Sequence, residues 1–281
     1  MTEWSPLEYL ERKPSGALDT IAERLWYLRA PSPQQFERIL PLPFVHLIIN
    51  LSDPYTVRQL DGASVAQRVE GAFIAGIQHT VLVNENPAVL RHVAIRLRPS
   101  GLIALTGRSV GHDVVDAEPL IPGITALRAS ILHASSAVDA LDQLETQLRA
   151  WIRPGWSLHP ALERALRMID GDPNLRIAEV ARAVGISGKS LIDLFTMHCG
   201  ITPKRYSEVA RLHRFVNSIP SLAPIPTWTE LAAETGYYDQ PHFIRTFTRF
   251  TGQTPQRYLE SVRSTVGAAP SFLPTGSIET G

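Results

Sequence analysis

The chain has 281 residues, of which 44% are hydrophobic and 19% charged, and its 27 Lys and Arg residues balance 27 Asp and Glu. This length allows two domains with separate cores, while the absence of any apolar run of about 18 residues excludes a transmembrane helix. The sequence does not open with the basic and apolar regions of a signal peptide, and its single cysteine, Cys199, excludes an internal disulfide, so we expect a cytoplasmic protein.

The N-terminal half alternates short β-branched apolar runs with turn residues, which predicts a β-sandwich or barrel. Residues 4–16 contain two prolines and are expected to be irregular. The clearest strand is Leu40–Leu51, a buried run that a Ser-Asp-Pro turn closes. Further strands are predicted at Leu25–Arg29, Thr56–Gln59, Gln67–Ile77, Thr80–Asn84 and Leu90–Leu97.

Four histidines, His46, His79, His92 and His112, are scattered through the β-rich residues 40–112. A metal site in such a barrel would show an H-x-H pair with a nearby glutamate, and the sequence contains no H-x-H, so we predict no metal and no cofactor. Polar side chains on the apolar strands are candidates for a small-molecule pocket, with a filled barrel that binds no ligand as the alternative. These candidates are His46, Asn50, His92 and Arg96.

A helical region is predicted over residues 124–153, after a short helix at Leu102–Leu105. Its apolar residues recur at spacings of three and four and form one stripe, which would pack either on the barrel or on a second subunit in a homodimer. Pro154 and Gly155 then break the helix and end an N-terminal domain of residues 1–154. The stripe consists of Ile131, Leu132, Val138, Leu141, Leu144, Leu148 and Trp151.

The stretch Trp228–Tyr258 has the pattern of a helix-turn-helix over about residues 228–251. Gly236 suits the turn because glycine accepts positive φ, and Asp239 is placed to cap the second helix. Apolar residues on that helix fall on one face and basic residues on the other. The predicted buried face carries Phe243, Phe247 and Phe250.

The same pattern occurs once before, at Ile177–Tyr206, with a helix-turn-helix over about residues 177–199. Both copies end in G-x-T-P-x-x-Y, at an offset of 52 positions. A longer helix from Pro203 to about Ser218 is expected to act as a strut between them, followed by a stiff connector with three prolines. An internal repeat is stronger evidence than either copy alone.

The tandem pair, with GYYDQPHFIRTF in its second copy, resembles the DNA-binding domain of the AraC/XylS family of bacterial transcription regulators. The resemblance implies an all-α domain over residues 155–263, with a 264–281 tail expected to be disordered. It also makes a cupin-like barrel the expected form of the N-terminal domain, giving an α+β two-domain protein. The partners it implies are double-stranded DNA and RNA polymerase.

In this interpretation each second helix enters a major groove, about one turn or roughly 34 Å from the other. Phosphate contacts are expected beside the base contacts. The carboxylate of Asp193 departs from the arginine that relatives commonly carry there, which weakens the first motif as a base reader. Base contacts are predicted for Lys189, Ser190, Asp193, Gln240, His242 and Arg245, and phosphate contacts for Lys204, Arg205, Arg249 and Arg257.

Charge gives this interpretation little support, because residues 159–263 carry 13 Lys and Arg against 10 Asp and Glu, a net charge of only +3. The alternative function is a protein- or ligand-binding module with weakened DNA binding. An enzyme on the barrel is disfavoured, since H-E-x-x-H and H-x-H are both missing from the sequence.

Overall fold

The computed structural model describes residues 7–32, 35–60, 66–218, 240–264 and 272–274. A β-rich N-terminal part made of two sheets precedes a helical C-terminal part, which confirms the predicted α+β, two-domain organisation. Within the described ranges, none of the helices is long and apolar enough to cross a membrane.

Both sheets are built from antiparallel pairs. The first sheet has the order β1-β2-β9-β4-β7-β10, and the second has the order β11-β3-β8-β5-β6. The strands are β1 (Glu8–Arg12), β2 (Ala22–Pro31), β3 (Phe36–Ile39), β4 (Val45–Asn50), β5 (Tyr55–Gln59), β6 (Gln67–Val69), β7 (Ala72–Ala75), β8 (Leu82–Glu85), β9 (Val89–Leu97), β10 (Val114–Asp116) and β11 (Phe272–Pro274).

One face of the first sheet packs against two helices, α2 (Ile124–Leu132) and α3 (Ala137–Trp151). The predicted single helical region is therefore divided, because Ser136 caps a new helix by accepting a hydrogen bond from the backbone N–H of Asp139. The predicted apolar stripe packs mainly within the chain. Ile131, Leu141, Leu144 and Leu148 are buried, Trp151 is half-buried, and Leu132 and Val138 are exposed.

The other face of the first sheet meets the second sheet across a smaller apolar cluster. The ring of Tyr55 on β5 lies edge-on to that of Phe73 on β7, with 6.3 Å between the ring centroids. Val57 and Leu82 of the second sheet complete this contact. Side chains that alternate along each strand thus supply both a helix-facing core and a sheet-facing core.

The strand predictions were incomplete at the edges. Residues 4–16 were expected to be irregular, yet β1 forms within them and pairs with β2, and this expectation was wrong. Strands β3 and β10 were also missed, because each is short and shows little apolar alternation. The run Gln67–Ile77 contains two strands, since Gly71 separates β6 from β7.

The C-terminal part consists of short helices. The first helix and glycine turn of the second motif, with the proline connector, lie in residues 219–239, outside the described ranges. The prediction of a disordered tail was wrong for Phe272–Pro274, which pair with β3. The helices are α1 (Gly101–Thr106), in the N-terminal part, then α4 (Pro160–Gly171), α5 (Ile177–Ala183), α6 (Gly188–Cys199), α7 (Pro203–Ser218), α8 (Gln240–Thr251) and α9 (Pro255–Ser264).

The two parts touch through glycines that end α6 and α8. Both Gly200 and Gly252 have a φ of 71°. A Cβ on Gly200 would lie 2.7 Å from the Cα of Gly111, in a loop of the N-terminal part. A Cβ on Gly252 would collide with the side chain of Leu60. The positive φ therefore favours glycine at both positions, and at Gly200 the backbone of Gly111 also leaves no room for a side chain.

The contact at Gly200 predicts a larger stability loss on substitution than positive φ alone would cause. Gly155 has the same φ of 71°, but no atom lies within 4 Å of the position that a Cβ would occupy there. We expect Gly155→Ala to lower the free energy of unfolding by about 1–2 kcal/mol, through backbone strain alone. Gly200→Ala should lose roughly 1–3 kcal/mol more, because its methyl group meets fixed backbone. Denaturant unfolding measures both losses, and equal losses would show that Gly200 does not touch Gly111 in solution.

Candidate nucleic-acid interface

The first helix-turn-helix is formed by α5 and α6. Gly185 lies between them with a φ of 76°, as the turn requires. Ser187 caps α6, because its hydroxyl accepts a hydrogen bond from the backbone N–H of Ser190 at 3.0 Å. The hydroxyls of these two serines also lie 2.8 Å apart, so Ser190 stands at the very start of the helix.

The helix α6 separates buried from exposed residues. Leu191, Phe195 and Cys199 are buried on one face. Burial raises the pKa of the Cys199 thiol, which therefore stays protonated and packs as a small apolar group. The exposed residues of the opposite side include three predicted base contacts and two apolar side chains: Lys189, Ser190, Ile192, Asp193 and Met197.

The second recognition helix, α8, is held by aromatic packing. Phe243, Phe247 and Phe250 are buried, as their spacing predicts. Phe215 of α7 lies edge-on to two of them, with ring centroids 5.2 Å from Phe243 and 5.6 Å from Phe247. The predicted base contacts His242 and Arg245 are exposed on the other side, and Gln240 begins the helix in a half-buried position.

The repeated G-x-T-P-x-x-Y segment has one structural role in both copies. Its glycine ends the recognition helix, and its proline begins the next helix. Its threonine hydroxyl accepts the hydrogen bond of a backbone N–H three residues later, in both copies. Its tyrosine is buried against the recognition helix, with Tyr206 5.7 Å from Phe195 and Tyr258 5.3 Å from Phe247. The repeat is thus a packing unit.

Two of the predicted phosphate contacts are ion-paired within the protein. Glu208 of α7 accepts from Arg205 at 2.9 Å and from Arg249 of α8 at 3.1 Å. The carboxylate thereby joins the strut to the second recognition helix. It also offsets the positive charge of two predicted phosphate contacts. The other two predicted phosphate contacts, Lys204 and Arg257, are exposed at the starts of α7 and α9.

The four candidate pocket residues occupy one face of the first sheet, the face that meets the second sheet. His46 lies directly across from Arg96 on the neighbouring strand, and Asn50 lies across from His92. The side chains therefore come in two cross-strand pairs, one at each end of β4. The sequence had suggested each residue singly, without showing that they share a face.

Two of these four are committed to internal hydrogen bonds. Asn50 is buried, donates to the carbonyl oxygen of Asp53 at 3.3 Å and accepts from the backbone N–H of Ser52 at 3.0 Å. His92 accepts from the indole N–H of Trp26 at 3.0 Å. Burial lowers the pKa of His92 to about 4, so this imidazole is neutral at pH 7. Asn50 closes a turn, and His92 anchors Trp26.

The histidines are less scattered in space than in sequence. His46 lies edge-on to Trp26 at 5.9 Å, and burial, aided by Arg96, lowers its pKa to about 3. The rings of His79 and His112 are 4.4 Å apart. In the described part of the chain, no group of three or more His, Cys, Asp or Glu side chains is arranged to hold a metal ion.

Two family models match the chain. One, described as a helix-turn-helix domain, covers residues 180–261. The other, described as a domain of unknown function (DUF6597), covers residues 10–114. Comparison with the curated proteins gives no match.

Several solved structures resemble the chain. ToxT from Vibrio cholerae is 9% identical, with a TM-score of 0.47 over 90% of this chain and 98% of ToxT. An AraC-type transcriptional regulator from Chromobacterium violaceum is 24% identical, with a TM-score of 0.35 over 38% of this chain and 96% of that one. The C-terminal domain of AraT, a response regulator from Geobacillus stearothermophilus, is 20% identical, with a TM-score of 0.35 over 44% and 98%.

The double ion pair at Glu208 predicts that its neutralisation strengthens binding to DNA. In Glu208→Gln, both Arg205 and Arg249 lose their carboxylate partner and become free to meet phosphate. We expect affinity for duplex DNA to rise by about two- to tenfold, with a steeper dependence on salt, because more counterions are released. Fluorescence anisotropy at two salt concentrations measures both. Weaker binding would show instead that Glu208 orients Arg249 for contact.

Proposed function

We infer that this chain, which carries an AraC-type helix-turn-helix domain behind a DUF6597 domain, is a transcription regulator that reads two adjacent major grooves with α6 and α8. The DNA-binding role follows from that domain. The pairing of two readers on one duplex is our proposal. It is supported by the internal repeat, whose two copies share the same capping and packing.

The observation that carries the proposal is the attachment of both recognition helices to α7. Tyr206, near the start of α7, packs against α6, and Phe215, near its end, packs against α8. Nine residues separate the two anchors, a rise of roughly 13 Å along the helix. One rigid element therefore sets the relation between the two exposed reader faces.

Base reading is assigned chiefly to α8. Arg245 is exposed and can bind guanine O6 and N7 with its guanidinium fork, and Gln240 can bind adenine N6 and N7. His242 is exposed between them in sequence. Lys204 and Arg257, at the starts of two helices, supply phosphate contacts that position the domain.

A second candidate function is supported by the surface of α6. Its exposed side carries the acidic Asp193 together with Ile192, 46% exposed, and Met197, 64% exposed. Such a face suits a protein partner better than a phosphate backbone, because exposed apolar groups mark interaction sites. The alternative is therefore a protein-binding module in which DNA binding is weakened.

We also propose that a small molecule bound near His46 and Arg96 modulates the regulator. A ligand shifts a conformational equilibrium only if it binds the two states with different affinity. The path from this site to the C-terminal part is short. Phe44, which lies beside Arg96, is edge-on to His213 of α7, with 5.4 Å between the ring centroids. The proposal also includes RNA polymerase as a partner and the formation of a homodimer. Assays on the DNA-bound protein test both.

Arg245→Ala is the decisive substitution for base reading. We expect a loss of about 1–3 kcal/mol of discrimination at one base pair, with little change in the salt dependence, because Arg245 contacts a base. Titration of DNA flanking the gene against random DNA, at two salt concentrations, measures this loss. Arg167→Ala is the matched control, because Arg167 is an exposed arginine paired with Glu163 on α4. A uniform loss on all sequences would make Arg245 a phosphate contact.

Asp193→Asn distinguishes the two candidate functions. If α6 lies in a major groove, removing the carboxylate should strengthen DNA binding by about two- to fivefold, since it repels phosphate. The same titration measures this gain. An unchanged affinity would place α6 away from DNA and favour the protein-binding alternative.

A further inference from the structure

Arg96 on β9 forms no direct ion pair within the described protein, although the carboxylates of Glu23 and Glu11 act on its charge from a distance. Its guanidinium lies over the ring of Phe44, 5.0 Å from the centroid. Its Nε is buried and has no hydrogen-bond partner. The neighbouring Arg24 is instead ion-paired, to Glu11. Burial lowers the pKa of Arg96, which reflects the cost of removing its charge from water.

The surroundings of Arg96 form a partly exposed, mainly aromatic surface. Trp26, Phe44, His46 and Ile48 lie near it, and each keeps part of its surface accessible although the row faces the second sheet. The space between the sheets therefore opens to solvent at this row. The imidazole of His46 forms no hydrogen bond within the described protein, so its N–H is available to a ligand.

We propose that this surface binds a small monocarboxylate with an apolar body, held by the guanidinium of Arg96 and the imidazole N–H of His46. The inference rests on the proposed effector role of the same site and names its ligand class. Guanidinium binds carboxylate through two parallel hydrogen bonds, and the one guanidinium of this site matches one carboxylate. Trp26, Phe44 and Ile48 supply the apolar wall.

Shape-matched probes test the charge requirement on the full chain. Cyclohexanecarboxylate and its neutral amide differ in charge but hardly in shape, and calorimetry reports their binding. We expect the carboxylate to bind at least about tenfold more tightly than the amide. Inorganic phosphate should bind more weakly than the carboxylate, because it lacks the apolar body. Equal binding of acid and amide, or no carboxylate binding at millimolar concentration, would overturn the proposal.

Substitutions of Arg96 test whether its side chain binds the carboxylate. Arg96→Gln should weaken carboxylate binding at least about tenfold, and Arg96→Lys should be intermediate, because lysine keeps the charge but loses the fork. Arg91→Gln is the matched control, since Arg91 lies on the same strand with its side chain bonded to Tyr27. Undiminished binding in both Arg96 variants would refute the assignment.

A stability measurement separates a ligand-binding arginine from a structural one. If Arg96 serves a ligand, Arg96→Met should raise the melting temperature of the free protein or leave it unchanged, because it removes a largely buried charge that has no direct ion-pair partner. A fall of several degrees would assign Arg96 to the core and contradict the proposal. Specific DNA binding by Arg96→Gln, measured in parallel, separates the proposed DNA-binding function from the proposed carboxylate site. If DNA binding persists while carboxylates fail to bind the parent protein, only the carboxylate site is refuted.

Discussion

The contact of α7 with both recognition helices is the interaction on which the C-terminal part depends. Each helix-turn-helix is too short to bury a hydrophobic core by itself, so each packs its apolar side chains against α7. Tyr206 of α7 packs against α6, and Phe215 of α7 packs against α8. Glu208 adds an ionic link to α8 from the same helix. Two helices that share one core element move as a unit unless that element bends.

The N-terminal part is organised around the two faces of its first sheet. One face is closed by α2 and α3, which use up most of the apolar stripe that a dimer interface would have needed. The other face meets a second sheet through a small cluster around Tyr55 and Phe73. Its open end keeps Arg96 and His46 partly accessible beside α7. The same sheet thus supports the fold on one side and presents polar groups to the other domain on the opposite side.

The sequence was sufficient for those features that depend on local periodicity. Phe243, Phe247 and Phe250 follow helical spacing, and their burial was predictable for that reason. The edge strand β1 was not, because its pairing with β2 joins residues distant from each other in the chain and leaves little alternation. The pairing of Glu208 with Arg205 and Arg249 likewise required the tertiary structure. The exposure of the predicted base contacts could be predicted from the sequence, but the ion pairs that offset the charge of Arg205 and Arg249 could not.

The two glycines that end the recognition helices meet neighbours of different stiffness. Gly200 faces the backbone of Gly111, which cannot yield without displacing a loop. Gly252 faces only the tip of the Leu60 side chain, which can rotate to another rotamer. The two copies of the motif therefore contact the N-terminal part differently. The first copy meets fixed backbone, and the second meets a side chain that can move. Any displacement of the N-terminal part would move α6 with it, while the Leu60 side chain could absorb a small shift before α8 moved.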